Sequence, residues 1–163
     1  MELNMKRILA GAAILAALSP LYAQQSTINF YSSTAKAGQP LPKECLQQAD
    51  VLKKNLAVFP HPSGWTYYIV CDDMAWQRVM TRLDAGGVNR QIYGETNFAP
   101  DVHLTYLRGA ALISAQADRS ATPEHIIAHE LGHIYLKSTD ESKVDALAAK
   151  WMSEFEKSQV AAK

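Results

Sequence analysis

Two histidines and an acid stand at a spacing that can do hydrolytic chemistry: His129-Glu130-Leu131-Gly132-His133, the pattern HExxH. Residues four apart on an α-helix lie one above the other on the same face, so His129 and His133 can offer two imidazoles to one metal ion. Glu130 lies about 100° round the helix from His129, in reach of a metal-bound water without being a ligand itself. Two neutral nitrogens beside a carboxylate supply ligands, an open coordination position and a general base, which is what zinc hydrolysis needs. With five His and eight Glu in 163 residues, chance puts one such pattern in about 0.7% of chains of this composition.

A helix must carry the motif, and the flanking residues provide one. Thr122-Pro123 reads as an N-cap followed by proline at the first helical position, with Glu124 in the first turn. Ile126, Ile127, Leu131 and Ile134 give it an apolar stripe, and it can run to about Leu136 or Lys137. Ser138-Thr139-Asp140 then makes a short turn, with Asp140 capping a second helix. Val144, Leu147, Ala148, Trp151, Met152 and Phe155 line one face of that helix at spacings of three and four. The pair forms an αα-hairpin that returns the start of the second helix toward the metal. Its candidate carboxylates are Asp140, Glu141 and Asp145. Counting outward from a turn near Thr139, the residue opposite His133 is closer to Asp145 than to Glu141. His125 shares the face of His129 but lies about 12 Å from His133 along the axis, too far for three ligands on one straight helix. It is expected at the mouth of the site.

His129-Glu130-Leu131-Gly132-His133 followed by Glu141-x-x-x-Asp145 resembles the HExxH…ExxxD pattern of gluzincin-type zinc metallopeptidases. The resemblance covers about Thr122 to Phe155, roughly a fifth of the chain; its first motif is specific and its second loose. It implies a zincin-like fold with one zinc per chain, Glu141 as the third ligand, and Asp145 as a residue that orients His129 or His133. The chain departs from the pattern in one respect: only seven residues separate His133 from Glu141, where many gluzincins carry a longer insert. Asp145 therefore stays open as an alternative ligand.

The rest of the chain must position and deliver this machinery. Residues 1–23 read as a bacterial-type signal peptide, with Lys6 and Arg7 as the basic region, Ile8 to Leu18 as the apolar region and cleavage after Ala23. Removing it leaves 14 basic and 15 acidic residues from 16 of each. That balance gives no electrostatic argument for nucleic acid. The apolar run is too short to span a bilayer comfortably, so no stable membrane anchor is expected after processing. Cys45 and Cys71 form an even pair that an oxidising compartment would join, worth about 3–4 kcal/mol by loop closure. Residues 24–163 suffice for one domain.

Along that domain we expect a strand at Thr27–Tyr31 and a helix from Lys43 to Val58, with Cys45, Leu52 and Leu56 inward and Gln47, Gln48, Lys53 and Lys54 outward. A core strand follows over Trp65–Cys71. Asp72 caps a helix to about Leu83 with Trp76, Val79, Met80 and Leu83 on its apolar face, and Asp84-Ala85-Gly86-Gly87 ends it. Short strands are expected at 91–94, 102–107 and 110–113, the last two joined by a hairpin turn at Arg108-Gly109. His61 reads as an exposed loop residue. The fold class is therefore α+β: a small zincin-like domain with a short, mostly antiparallel sheet packed on helices and HExxH on a central helix.

These readings converge on a periplasmic or secreted metallopeptidase acting on peptides or envelope proteins. Glu130 takes a proton from the water and returns it to the leaving amine. Tyr93, His103, Tyr106 and Tyr135 are the candidates for stabilising the oxyanion. The alternatives are a peptidoglycan cross-link hydrolase and a non-catalytic zincin-like domain that binds metal or protein.

Overall fold

The computed structural model describes residues 26–83, 93–97, 102–114 and 122–161. The signal-peptide reading, the helix stop at Asp84–Gly87 and the strand start at residues 91 and 92 lie outside them. Among the described residues no helix is long and apolar enough to cross a membrane.

Four strands form one mixed sheet in the order β1-β2-β4-β3: β1 (Thr27–Tyr31), β2 (Thr66–Val70), β3 (Gly94–Asn97) and β4 (Leu104–Arg108). The expected antiparallel character holds only for β3 on β4; β1 with β2 and β2 with β4 are parallel. Parallel neighbours need a crossover long enough to return the chain to the same end of the sheet. Helix α1 (Lys43–Leu56) supplies one between β1 and β2, and α2 (Asp73–Leu83) begins the connection from β2.

The expected hairpin at Arg108-Gly109 does not form either. The Arg108 amide closes the ladder on the Tyr93 carbonyl at 2.8 Å, and Gly109 opens a short helix, α3 (Gly109–Ile113), where a strand was expected. A short apolar run carries no periodicity to separate strand from helix, and Ala110, Ala111 and Leu112 are good helix formers. Gly109 is there for space: a Cβ would lie 2.2 Å from Gln48 Oε1. Gln48 itself faces inward, not outward, and its Nε2 donates to the Cys71 carbonyl at 3.0 Å. Cys45 and Cys71 are joined by the expected disulfide, tying α1 to the end of β2.

Strand alternation splits the apolar side chains between two faces. On one, Tyr67, Ile69 and Leu107 meet α1, α3 and the two C-terminal helices, α4 (Pro123–Leu136) and α5 (Glu141–Ala161), in the main core. On the other, Val70 packs with Ala75, Trp76 and Val79 of α2, with Met80, Tyr31 and Tyr106 against them; Leu83 is left exposed. The motif helix α4 thus lies on the main-core face, beside β3 and β4.

Asp72 caps α2 as expected, accepting the Ala75 amide at 2.9 Å. It also takes the Ser32 hydroxyl and the Ser33 amide and hydroxyl, which pins the loop after β1 to this helix. Partial burial pushes its carboxyl up, but those hydrogen bonds outweigh burial and hold it below the usual carboxylate range. A carboxyl depressed in the folded state stabilises the fold above its unfolded value of about 3.9, and the gain disappears as pH falls through the folded value. Asp72→Ala should therefore cost about 0.5–2 kcal/mol in urea unfolding near pH 7. The gap to wild type should narrow as pH falls below about 3.9; a gap that does not change with pH would show that the ionised carboxylate is not the cause.

Candidate metal centre

Helix α4 starts and stops where its sequence dictates. The Thr122 hydroxyl accepts the His125 amide at 3.3 Å, and Pro123 occupies the first turn. At the other end Lys137 adopts the left-handed conformation (φ 48°), and the Ser138 amide turns back onto the His133 carbonyl at 3.3 Å. Asp140 then accepts the Lys143 amide at 3.3 Å and opens α5. The two helices pack closely because Gly132 has no side chain. A Cβ there would sit 3.1 Å from Val144 Cγ1, and Val144 is fully buried.

This hairpin gathers both histidines and both acids of the second motif. His129 Nε2 lies 3.0 Å from His133 Nε2 and 3.1 Å from Glu141 Oε2, with 3.6 Å between His133 Nε2 and Glu141 Oε2. The opposite ring nitrogens are engaged. His129 Nδ1–H donates to Asp145 Oδ1 at 2.8 Å, and His133 Nδ1–H donates to the Ser138 carbonyl at 2.8 Å. A carbonyl can only accept, and so can an ionised carboxylate, so each neutral ring carries its proton on Nδ1 and its lone pair on Nε2. With both rings neutral, three electron-pair donors converge with no proton among them to share.

A cation resolves that convergence. A triangle with these edges has a circumradius of about 1.9 Å, so a point at the zinc–nitrogen distance of roughly 2.0–2.1 Å lies just out of its plane. The residues present thus fit a metal ion on their own geometry. A second set, His125, His129 and Asp145, also comes together and shares His129 with the first. There the nearest Asp145 contact is to Nδ1, the nitrogen that faces away from Glu141. The His125 ring stacks beside that of His129 at 6.4 Å between centroids.

Glu130 points from α4 under the edge strand. It is 6% exposed, and Thr96 Oγ1 of β3 donates to its Oε2 at 2.6 Å. Burial pushes its carboxyl up; the Thr96 hydrogen bond and the nearby His133 and His129 pull the other way, while Glu95 adds to the rise. Glu95, half-buried on the same strand, is raised chiefly by desolvation, with His133 and Glu141 in electrostatic range. Gly94 completes the fit, since a Cβ there would collide with the Glu130 carboxylate.

Two of the four expected oxyanion donors lie elsewhere. Tyr106 packs at a tilt on Tyr68, 5.2 Å between ring centroids, on the α2 face, the pleat opposite Thr105. Tyr135 is 66% exposed and packs on Trp151, about 200° round α4 from His133. His103 is exposed and stacks on Trp65 at 5.2 Å between ring centroids. Tyr93 leads into β3 one residue before Gly94. His61 is exposed in its loop, with Nδ1 at the Phe59 carbonyl. Sequence reasoning did not single out Gly94, Glu95, Thr96, Gly132 or the Ser138 carbonyl. Only Gly132 had a readable signal, a small residue on the helix face between the two histidines.

Comparison with protein-family models, curated proteins and solved structures returns no match.

The Asp145 contact leads to a direct expectation. Asp145→Ala should weaken zinc binding by about 10–100-fold in a chelator competition, because the His129 ring loses the partner that fixes its tautomer and direction. Unchanged affinity would show that packing alone orients the ring.

Proposed function

We propose that this chain is an exported zinc metallopeptidase of zincin-like fold that hydrolyses peptide bonds in peptides or envelope proteins. The observation that carries the reading is the convergence of His129 Nε2, His133 Nε2 and Glu141 Oε2, with both Nδ1 protons committed to Asp145 and Ser138. In this reading Glu141 is the third ligand and Asp145 the orienting residue. A ligand set of two imidazoles and one carboxylate is the chemistry of a catalytic zinc, which keeps a position open where structural sites are closed by four side chains. When bound, zinc supplies Lewis acidity and a water acidic enough to act as a nucleophile near neutral pH.

The remaining work falls to the chain's own residues. Glu130 accepts the proton of the attacking water and hands it to the departing amine, and its burial suits both tasks by raising its affinity for that proton. The Nδ1 hydrogen bonds hold the two rings in one direction as charge develops beside them. The disulfide between α1 and β2 fits an oxidising compartment, in line with export by residues 1–23.

The test is metal content beside hydrolysis of a mixture of unstructured peptides, read by mass spectrometry. Wild-type protein lacking residues 1–23 should hold one zinc and cleave. Glu141→Ala should lose the metal and the activity together. Glu130→Ala should keep the metal and lose about 10²–10⁴-fold in rate. A Glu130→Ala protein that cleaves at the wild-type rate would exclude this mechanism, and zinc-loaded wild type that cleaves nothing would leave a metal-binding domain.

A further inference from the structure

Resting on that reading, we propose that Thr96 is the positioning residue for Glu130, and that it acts at the end of a one-way hydrogen-bond relay, Trp65–Thr105–Thr96–Glu130. The relay crosses the sheet. Trp65 Nε1 lies 3.0 Å from Thr105 Oγ1, Thr105 Oγ1 lies 3.0 Å from Thr96 Oγ1, and Thr96 Oγ1 lies 2.6 Å from Glu130 Oε2. Its direction follows from the groups themselves. An indole N–H can only donate, so Thr105 must accept from Trp65. The Thr96 hydroxyl donates to Glu130 Oε2, which spends its one proton. Thr105 is then the donor to Thr96. Every proton in the chain is assigned, and all point toward the general base.

Three features make this a support for the carboxylate and not incidental surface bonding. Thr105 is fully buried, and Trp65 and Glu130 are each 6% exposed, so both ends of the relay are shielded from water, with Thr96 between them part-buried. Thr96 and Thr105 are direct register partners in the antiparallel β3–β4 pair, so the ladder itself holds the two hydroxyls together. A slip of one residue would present Glu95 or Asn97 in place of Thr96. Gly94, two residues earlier on the same face, leaves the room that the carboxylate occupies; a Cβ there would stand 2.3 Å from Glu130 Oε1. One edge strand thus sets the carboxylate twice: a hydroxyl holds one oxygen, and a missing side chain admits the other. Aligned hydrogen bonds in a buried chain polarise one another, which strengthens the last of them.

The relay predicts effects on the base without effects on the metal. Thr96→Val removes the donor at nearly constant volume and should lower the hydrolysis rate by about 10–100-fold, since small misplacements of a catalytic group cost on that scale. Thr96→Ser, which keeps the hydroxyl, should restore most of it. Gly94→Ala reaches the same end by a separate route. Its Cβ meets Glu130 from Cγ to the carboxylate, so the side chain must turn and the carboxylate moves. All three variants should bind one zinc with wild-type affinity.

A second readout is independent of turnover: the Trp65 indole N–H resonance in a proton–nitrogen NMR spectrum. Thr96→Val and Glu130→Ala should each shift it, although neither residue is its bonding partner, while the Trp76 and Trp151 indole signals stay in place. An unmoved Trp65 signal in both variants overturns the relay even if the enzyme is active. A Thr96→Val protein that cleaves at the wild-type rate overturns the positioning role. If zinc-loaded wild type cleaves nothing, the hydrolase reading falls and the positioning role with it, while the indole shifts still decide whether the relay exists.

Discussion

Helices α4 and α5 approach one another at Gly132 and Val144, and the site depends on that contact. Gly132 lies on the face of α4 between His129 and His133, so any side chain there would act as a spacer under the ligands. Val144, fully buried against it, sits between Glu141 and Asp145 on α5. The contact thus fixes how far the two acids stand from the two rings. With the helices seated, one acid reaches the Nε2 side of His129 and the other its Nδ1 side, four residues and one turn apart. The left-handed turn at Lys137 does the same for His133 by presenting the Ser138 carbonyl to its ring.

Glu130 shows a different compromise. Burying a carboxylate is costly, and the chain offsets that cost with a single short hydrogen bond and two nearby imidazoles. A fully satisfied carboxylate would be a weak base, and an unsupported one would not ionise in such surroundings. The edge strand sets the balance. It excludes water from most of the side chain and, among the described residues, offers it the Thr96 hydroxyl.

How much of this was legible follows from where each partner lies in the chain. The N-cap at Thr122, the end of α4 near Lys137, the cap at Asp140 and the apolar face of α5 are local signals, and each reads directly. The disulfide followed from a count of two cysteines. Counting residues around the turn put Asp145 nearest His133, whereas Asp145 Oδ1 lies against His129 Nδ1 and Glu141 Oε2 lies 3.6 Å from His133 Nε2. The sheet was misread where local signals give out. Ala110 to Ile113 is apolar without a period, and parallel pairing of β1, β2 and β4 is a decision made across tens of residues. Thr96 was invisible for the same reason. Nothing in Gly-Glu-Thr-Asn announces a strand, and its role exists only once Thr105 is its partner.

That division separates two functions by the range of the contacts that build them. The candidate metal set lies within residues 129–145, on one hairpin whose partners are at most 16 residues apart in sequence. The set that holds the base spans Trp65 to Glu130 and needs β3, β4 and α4 assembled together. Local contacts form with little loop entropy, whereas long-range ones require the whole sheet. On the proposed function, metal binding would therefore outlast disturbances of the sheet edge that dislodge Glu130. On that same proposal, affinity for the ion would belong to the helical hairpin and reactivity to the complete fold.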